Sequence, residues 1–374
     1  MSSIGAVVFD RRVSSAIVDL RALRAFLVAH AVPGLDDVEV RTDGSTRHRR
    51  LVPVAAGHAG LTVSVPEGSL GTPVVEVDGG PDAVPSAVAA GRRWVGLDAD
   101  PAAGVAALAG DPVLGPLVRA RPHLRVPGST DAFETAVLVV LGQHVSLAAG
   151  RVFAARLVAA HAPPSGAGCR DGCSDDHLGT RLEALRSFPG PEVLAALDPE
   201  DLQRTVGITG GRARTVVLMA RAVVDGALTL DPTTPSQDGL ADSGADTALT
   251  PRSAPDSAGT RAAMLALPGV GPWTADLVAL RALRDPDVFL PGDLVLRRAL
   301  GGVSAREAAS AAQAWAPHRS LAVLHLWTHH AIDPRRPAPS RTAGRAPVRR
   351  TQGGQWSGAP LPRRGDRPAH PEAG

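Results

Sequence analysis

Residues 267–298, LPGVGPWTADLVALRALRDPDVFLPGDLVLRR, constrain the fold of this 374-residue chain more than any other segment. Gly269 and Gly271 allow a tight turn with unusual dihedral angles and a close approach of the backbone to a ligand. Pro272 suits the first turn of a helix, where its missing N–H costs little. The segment therefore predicts a hairpin followed by a helix, whose free backbone N–H groups form an anion-binding site.

An acidic residue, Asp293, follows this hairpin by about twenty residues and comes directly after Pro291 and Gly292. The proline and glycine predict a turn, and an aspartate after a turn is a good N-cap for the next helix. A carboxylate at such a place can also stabilise positive charge or orient an attacking water. Position alone leaves the structural and the catalytic interpretation open, and the two are compatible.

Together these residues resemble the helix-hairpin-helix DNA glycosylases of the AlkA type, 3-methyladenine DNA glycosylase II, in which a Gly/Pro segment and a catalytic aspartate follow the hairpin. Residues 121–150, RPHLRVPGSTDAFETAVLVVLGQHVSLAAG, are similar to the family's first core helix and wedge loop. Residues 315–327, WAPHRSLAVLHLW, are similar to its closing helix. Three blocks in the family's order make the resemblance specific, whereas LPGVG alone also occurs in non-catalytic DNA-binding proteins.

The resemblance implies that Asp293 is the catalytic carboxylate. Hydrolysis of an N-glycosidic bond builds positive charge on the sugar, which a nearby carboxylate stabilises. It also implies that Trp273, Trp327 and Phe26 wall a pocket for a flipped-out base, where their ring faces attract a positively charged alkylated purine. Without the resemblance, ordinary core packing is the simpler interpretation of these aromatic residues.

The chain departs from the AlkA pattern at three positions. Leu277 and Leu294 stand where that family places tyrosines, so we expect a more aliphatic pocket and weaker discrimination by cation–π stacking. His144 stands at the position of the leucine wedge, which fills the gap left by the flipped nucleotide; an exposed loop residue is the alternative interpretation. Gln143 beside it is expected to contact the opposite strand.

The hairpin is expected to hold the DNA backbone. The residues that the resemblance assigns to DNA binding there are Gly269, Val270, Gly271 and Thr274. In the family, carbonyl oxygens of the hairpin also bind a cation that bridges to phosphate, and by position these belong to Leu265, Leu267 and Val270. Main-chain ligands leave no side-chain pattern, so this cation, expected to be monovalent, is implied by the resemblance alone.

The composition narrows the chemistry further. The chain contains no lysine, and glycosylases that also cut the backbone use a lysine amine to form a Schiff base with the sugar. We therefore expect a monofunctional hydrolase whose chemistry requires no cofactor. Cys169 and Cys173 are the only cysteines, too few for the four thiolates of an iron–sulfur cluster. No methyl-accepting repair domain is expected either, because no reactive cysteine motif is present.

The apolar and turn-forming residues predict an α+β fold in two folded regions. Residues 1–112 combine a helix at about 20–31 with several short strand-like runs, which predicts a small N-terminal antiparallel-sheet domain like that of AlkA-type enzymes. Residues 113–333 predict an all-helical helix-hairpin-helix core. Two segments of that core, about 163–180 and 233–259, are poor in large apolar residues and predict flexible insertions.

The C-terminal residues 334–374 contain nine arginines against two acidic residues, although the whole chain carries a net charge of only +2. Their Pro/Arg/Gly-rich composition predicts a disordered basic tail. A solvated low-complexity tail is the simpler interpretation, and a weak, salt-sensitive DNA tether is the alternative.

We expect a monomer that removes alkylated purines from double-stranded DNA. Its expected location is cytoplasmic and nucleoid-associated, since no signal peptide or membrane-length apolar run is present. Two alternatives remain open. A glycosylase of the same fold for hypoxanthine or an oxidised base is favoured by Leu277 and Leu294. A non-catalytic damaged-DNA-binding protein is disfavoured by Asp293.

Overall fold

A computed structural model of the chain describes residues 16–55, 57–162, 182, 184–230 and 257–332. The predicted tail at 334–374, the insertion at 163–180 with its two cysteines, and the second insertion up to residue 256 lie outside these ranges. None of the helices within them is long and apolar enough to cross a membrane.

The N-terminal part is built on antiparallel sheets, as the sequence predicts. In chain order the strands are β1 (Val18–Asp19), β2 (Asp36–Val40), β3 (Thr46–Val54), β4 (Gly57–Val65), β5 (Leu70–Gly71) and β6 (Val74–Asp78). The larger sheet has the order β2-β3-β4-β6, and β1 pairs with β5. Alternate residues of β4, Leu61, Val63 and Val65, are fully buried, because one face of a strand carries every second side chain.

The rest of the described chain is helical, which confirms the predicted fold class. In chain order the helices are α1 (Leu20–His30), α2 (Val84–Trp94), α3 (Ala102–Leu108), α4 (Leu114–Ala120), α5 (Ala132–Leu141), α6 (Leu147–His161), α7 (Pro191–Ala195), α8 (Pro199–Val206), α9 (Gly210–Val224), α10 (Ser257–Leu265), α11 (Pro272–Arg281), α12 (Leu294–Ala299), α13 (Ala305–Ala311) and α14 (Arg319–Ile332), with a 3-10 turn at Ala312–Trp315.

Helix α11 lies between the two apolar clusters of the helical body. Ala275 and Val278 pack into the cluster formed mainly by α5, α6, α8 and α9. Ala279 and Leu280 pack into the second cluster, to which α3, α4, α12 and α14 contribute. Since α11 is buried on both sides, its position is fixed by packing, and so is the position of the residues at its N-terminus.

Helix α3 belongs to this second cluster although it precedes residue 112. Leu108 is buried there, and the Trp315 indole donates a hydrogen bond to Asp111 Oδ2 at 2.8 Å. The described residues up to 332 belong to one compact unit. The proposed boundary at residue 112 therefore stays a prediction.

Two consecutive arginines of β3 point to opposite sides of the sheet. Arg49 donates to Asp37 and Glu39 on β2, at 2.7 and 2.6 Å. Arg50 donates to both carboxylate oxygens of Glu134, at 2.6 and 2.8 Å, and both side chains are buried. Because Glu134 lies in the first turn of α5, this ion pair connects the sheet to the helix that leads to the wedge loop.

Candidate active site

Asp293 is the N-cap of α12, as its place after a proline and a glycine predicts. Its Oδ1 accepts the Leu296 amide at 2.9 Å, and its own amide donates to the Leu290 carbonyl at 3.0 Å. The turn and the cap therefore fix the backbone and one oxygen of the carboxylate. The side chain remains partly exposed, so a reacting group can approach it.

Two tryptophans hold the same carboxylate. The Trp273 indole Nε1 donates to Asp293 Oδ2 at 3.2 Å, and the Trp327 Nε1 donates to Oδ1 at 3.2 Å. The donors come from the first turn of α11 and from α14, so three separate elements meet at one acid. The structure thus brings together the predicted acid and both predicted pocket tryptophans. Their hydrogen bonds to the carboxylate were not predicted from the sequence.

A large, mostly apolar cavity lies beside these tryptophans, with a volume of about 680 Å³. Its walls include Phe26 of α1, Leu277 of α11 and Trp327 of α14. The volume lies within the range of ordinary ligand sites, which are concave and apolar with a few polar groups. The structure therefore places Phe26 and Leu277 at one cavity with the tryptophans, and base binding there stays a prediction.

A charged residue that the sequence reasoning missed, Arg281, also lines this cavity. Its guanidinium carbon lies 4.7 Å from the ring centroid of Phe26 and 5.3 Å from that of Trp327. Two aromatic rings expected to attract a cationic base therefore already contact a cation of the protein. The helix spacing could have identified Arg281 as a cavity residue, because Trp273, Leu277 and Arg281 recur every four residues and share one face of α11.

A smaller cleft of about 390 Å³ is also lined by Trp273, which therefore borders both spaces. Its lining contains most of the predicted DNA-contacting residues together with the acid. The lining residues are Gln143, His144, Gly269, Gly271, Pro272, Trp273, Thr274, Gly292, Asp293 and Leu294. Asp293 thus borders the cleft formed by the hairpin and the wedge loop, while its indole donor Trp273 also lines the large cavity. Leu294 is 52% exposed and belongs to the cleft, not to the large cavity.

The two residues predicted to act from the wedge loop, Gln143 and His144, point in different directions. His144 is exposed at the tip, with a left-handed φ of 55°, which is unusual for a residue other than glycine. Gln143 turns inward, and its Nε2 donates to the Gly269 carbonyl at 3.1 Å and to Thr274 Oγ1 at 2.8 Å. Arg212 of α9 also donates to the Gln143 carbonyl. Gln143 therefore braces the hairpin, and its contact with the opposite DNA strand stays a prediction.

The two hairpin glycines have different environments. Gly269 has a φ of +87°, and a Cβ there would overlap the Thr215 hydroxyl oxygen. That hydroxyl donates to the Pro268 carbonyl at 2.8 Å, so α9 supports the turn from behind. Gly271 has a φ of −98° and caps α11, and a Cβ there would meet no atom of the described residues within 4 Å. Gly269 is required by the fold, whereas Gly271 faces open space in the cleft.

The predicted cation site depends on main-chain atoms of this hairpin. The Val270 side chain is buried, and its amide donates to the Leu267 carbonyl at 3.1 Å. Leu265 and Leu267 pack their side chains against the first apolar cluster. Among the described residues, no group of three or more His, Cys, Asp or Glu side chains is arranged to hold a metal ion. Cation binding by the three carbonyls stays a prediction.

Comparison with known proteins points to one family. Residues 18–131 match the AlkA N-terminal domain family. The chain is 36% identical over 307 residues to the "Probable bifunctional transcriptional activator/DNA repair enzyme AlkA" of Mycobacterium tuberculosis strain H37Rv, a match that covers 81% of this chain and 53% of the relative. It is 33% identical over 217 residues to "DNA-3-methyladenine glycosylase 2" of Escherichia coli K12, covering 57% of this chain and 63% of the relative. Residues 18–131 therefore belong to the AlkA N-terminal domain family, and the chain is similar to AlkA-type proteins over most of its length.

The fold of this chain is shared with solved structures. The 3-methyladenine DNA-glycosylase from Archaeoglobus fulgidus superposes with a TM-score of 0.61 at 19% identity, covering 86% of this chain and 97% of that structure. At this identity the likeness shows the fold alone. The chain spans about half the length of its M. tuberculosis relative (53%) and 63% of its E. coli relative.

Proposed function

We propose that this AlkA-type protein is a DNA glycosylase that hydrolyses the N-glycosidic bond of damaged purines in double-stranded DNA, alkylated purines such as 3-methyladenine and 7-methylguanine among them. The observation that carries the proposal is the Asp293 carboxylate, fixed by two indole N–H groups beside a cavity large enough for a base and at the edge of the hairpin cleft. The name of the E. coli relative, a DNA-3-methyladenine glycosylase, supports the same activity.

In the proposed reaction the base leaves the stack and enters the large cavity, because an enzyme cannot reach the glycosidic bond inside the duplex. The hairpin N–H groups hold a phosphate at the start of α11, and His144 fills the gap in the stack. The C1′ atom of the sugar then lies towards Asp293, whose carboxylate is held in one orientation by the two tryptophans.

The chemical step breaks the bond from C1′ to the base nitrogen, and the electron pair leaves with the base. Positive charge develops on the sugar, and the fixed carboxylate of Asp293 stabilises it without reorganisation. Water adds to C1′ and loses a proton, which leaves an abasic site and the free base. The sequence has no lysine for a Schiff base with the sugar, so we propose that the enzyme is monofunctional.

One chain supplies the acid, both indole donors, the hairpin and the wedge loop. We therefore propose that a monomer is the active form. Sedimentation equilibrium of the protein alone and bound to a short duplex measures this directly, and a dimer in the bound state would contradict it.

The activity is tested with wild type and Asp293→Asn on duplex DNA treated with a methylating agent, followed by chromatography of the released bases. Asparagine is as good an N-cap as aspartate, so the variant should keep the α12 cap and the fold. We expect 3-methyladenine or 7-methylguanine release by the wild type alone, with both proteins binding a duplex that carries an abasic-site analogue.

Two other outcomes would contradict the proposal. Equal release by both proteins would show that Asp293 is not the catalytic acid. If neither protein released any base from methylated, deaminated or oxidised DNA, and both bound the abasic-analogue duplex equally, the protein would be a non-catalytic damaged-DNA-binding protein.

A further inference from the structure

An arginine lies inside the cavity that would receive the base. The Arg281 Nη1 donates to the Pro127 carbonyl at 2.9 Å, and the guanidinium contacts the rings of Phe26 and Trp327. No carboxylate of the described residues forms an ion pair with it. A guanidinium carries five N–H donors, so donors remain for a ligand in the cavity.

An unneutralised cation in an apolar cavity is unfavourable unless something offsets its desolvation. Burial, and next the neighbouring Arg284, lower the pKa of Arg281 to about 9, which leaves the side chain charged at neutral pH. The aromatic contacts offset part of the cost. A negatively charged or carbonyl-bearing ligand in the cavity would offset more.

The charge on a departing base depends on the lesion. When C1′–N9 breaks in a neutral base such as hypoxanthine, the electron pair gives the base a negative charge, which spreads over its ring and carbonyl oxygen until a proton is added. When the bond breaks in a cationic N-methylated purine, the same electron pair neutralises the base. A fixed cation in the pocket stabilises the first departing base and repels the second before the bond breaks.

We propose that Arg281 is a specificity-determining residue that favours neutral, carbonyl-bearing bases of the hypoxanthine type over cationic N-methylated purines. The inference rests on the proposed glycosylase function and concerns which lesions that site prefers. It makes the aromatic walls and the guanidinium one recognition unit, in which Phe26 and Trp327 hold the arginine and the arginine faces the base.

A purely structural role for Arg281 can be distinguished from the proposed role in base specificity, because Arg284 offers a matched control. Arg284 donates to the adjacent Val126 carbonyl at 2.6 Å, so it supports the same loop. Its other nitrogens pair with Asp98 at 3.0 and 2.7 Å, and it does not line the cavity. Arg281→Met and Arg284→Met therefore each remove one loop contact, but only Arg281→Met removes a charge from the cavity.

The test measures single-turnover release from two duplexes, one with deoxyinosine and one with 7-methylguanine, for the wild type and both variants. We expect Arg281→Met to lower the ratio of hypoxanthine to 7-methylguanine release by on the order of tenfold, the effect of one charge at pocket distance. Arg284→Met should keep the wild-type ratio. Equal losses on both substrates in Arg281→Met would overturn the proposal and leave Arg281 a structural residue.

A binding measurement tests the role of Arg281 even if the proposed glycosylase activity is absent. Duplexes with the 2′-fluoro analogues of deoxyinosine and 7-methylguanosine resist hydrolysis, so they report pocket preference even if the wild type releases neither base. A lower relative affinity of Arg281→Met for the inosine analogue, with circular dichroism unchanged, would support the assignment of Arg281 alone. An unchanged affinity ratio would refute it.

Discussion

Replacing each hairpin glycine with alanine adds the same methyl group to two very different environments. At Gly269 the backbone is left-handed, with a φ of +87°, which costs about 1–2 kcal/mol for a residue with a Cβ. That Cβ would also overlap the Thr215 hydroxyl. Moving Thr215 aside would break its hydrogen bond to the Pro268 carbonyl, worth about 1 kcal/mol. We therefore expect Gly269→Ala to lower the free energy of unfolding by about 2–3 kcal/mol.

Gly271→Ala is the matched control. Its φ of −98° suits any residue, and the added Cβ would meet no described atom within 4 Å. Alanine is a poorer N-cap than glycine, so the loss of stability should stay below about 1 kcal/mol. The same Cβ would project into the cleft beside Asp293, where we expect the DNA backbone. Gly271→Ala should therefore weaken DNA binding while it leaves the fold nearly intact.

Two measurements separate these effects. Urea unfolding followed by circular dichroism gives the stability of each variant, and fluorescence anisotropy at fixed salt gives the affinity for a duplex with an abasic-site analogue. If Gly269→Ala unfolded at the same urea concentration as the wild type, the close packing of Thr215 against the turn would not exist in solution. Equal destabilisation by both substitutions would refute the distinction between the two glycines.

Three further predictions concern Glu134, His144 and Trp273. Burial raises the pKa of Glu134 to about 7 against the opposing effect of Arg50. Stability from this group is present below its unfolded pKa of 4.5 and is lost as the pH rises through 7, so urea unfolding should show a fall of up to about 3 kcal/mol across that window. Burial also raises the pKa values of the neighbouring Asp36 and Asp131, so Glu134→Gln should reduce this fall and leave the part that those two groups contribute. His144→Gly should keep or raise stability, because glycine accepts the left-handed φ, but should reduce base flipping measured by 2-aminopurine fluorescence; undiminished flipping would exclude a wedge role. Trp273→Phe keeps an aromatic ring and removes the indole donor to Asp293 Oδ2, so single-turnover release should fall about tenfold, whereas an unchanged rate would show that orientation of the carboxylate does not limit the reaction.

Local pattern accounts for what could be predicted at the site. The turn glycines, the proline at the first helical position and the N-cap aspartate are each set by backbone chemistry over a few residues, and all three are found as predicted. Strand alternation predicted the N-terminal sheet in the same way. The two tryptophans were named as pocket residues by the resemblance alone, since a tryptophan in a helix has no local signature of a pocket; their role in base binding stays a prediction.

Glu134 marks the limit of such local reasoning. Three residues after the N-cap Asp131, it suggests a reciprocal capping box. Asp131 does cap the helix, with Oδ1 accepting the Glu134 amide at 2.6 Å. The Glu134 carboxylate instead pairs with Arg50, 84 residues earlier in the chain, because a buried carboxylate requires a charged or hydrogen-bonding partner wherever the fold provides one.

The sequence by itself determined the hairpin, the capped acid and the class of fold, because turns, caps and apolar periodicity depend on neighbouring residues. Only the tertiary structure decided that both indole N–H groups converge on Asp293 and that Arg281 lies between Phe26 and Trp327 in the cavity. These contacts join α1, α11, α12 and α14, and the separations that decide electrostatics in a cavity exist only once those elements have packed together.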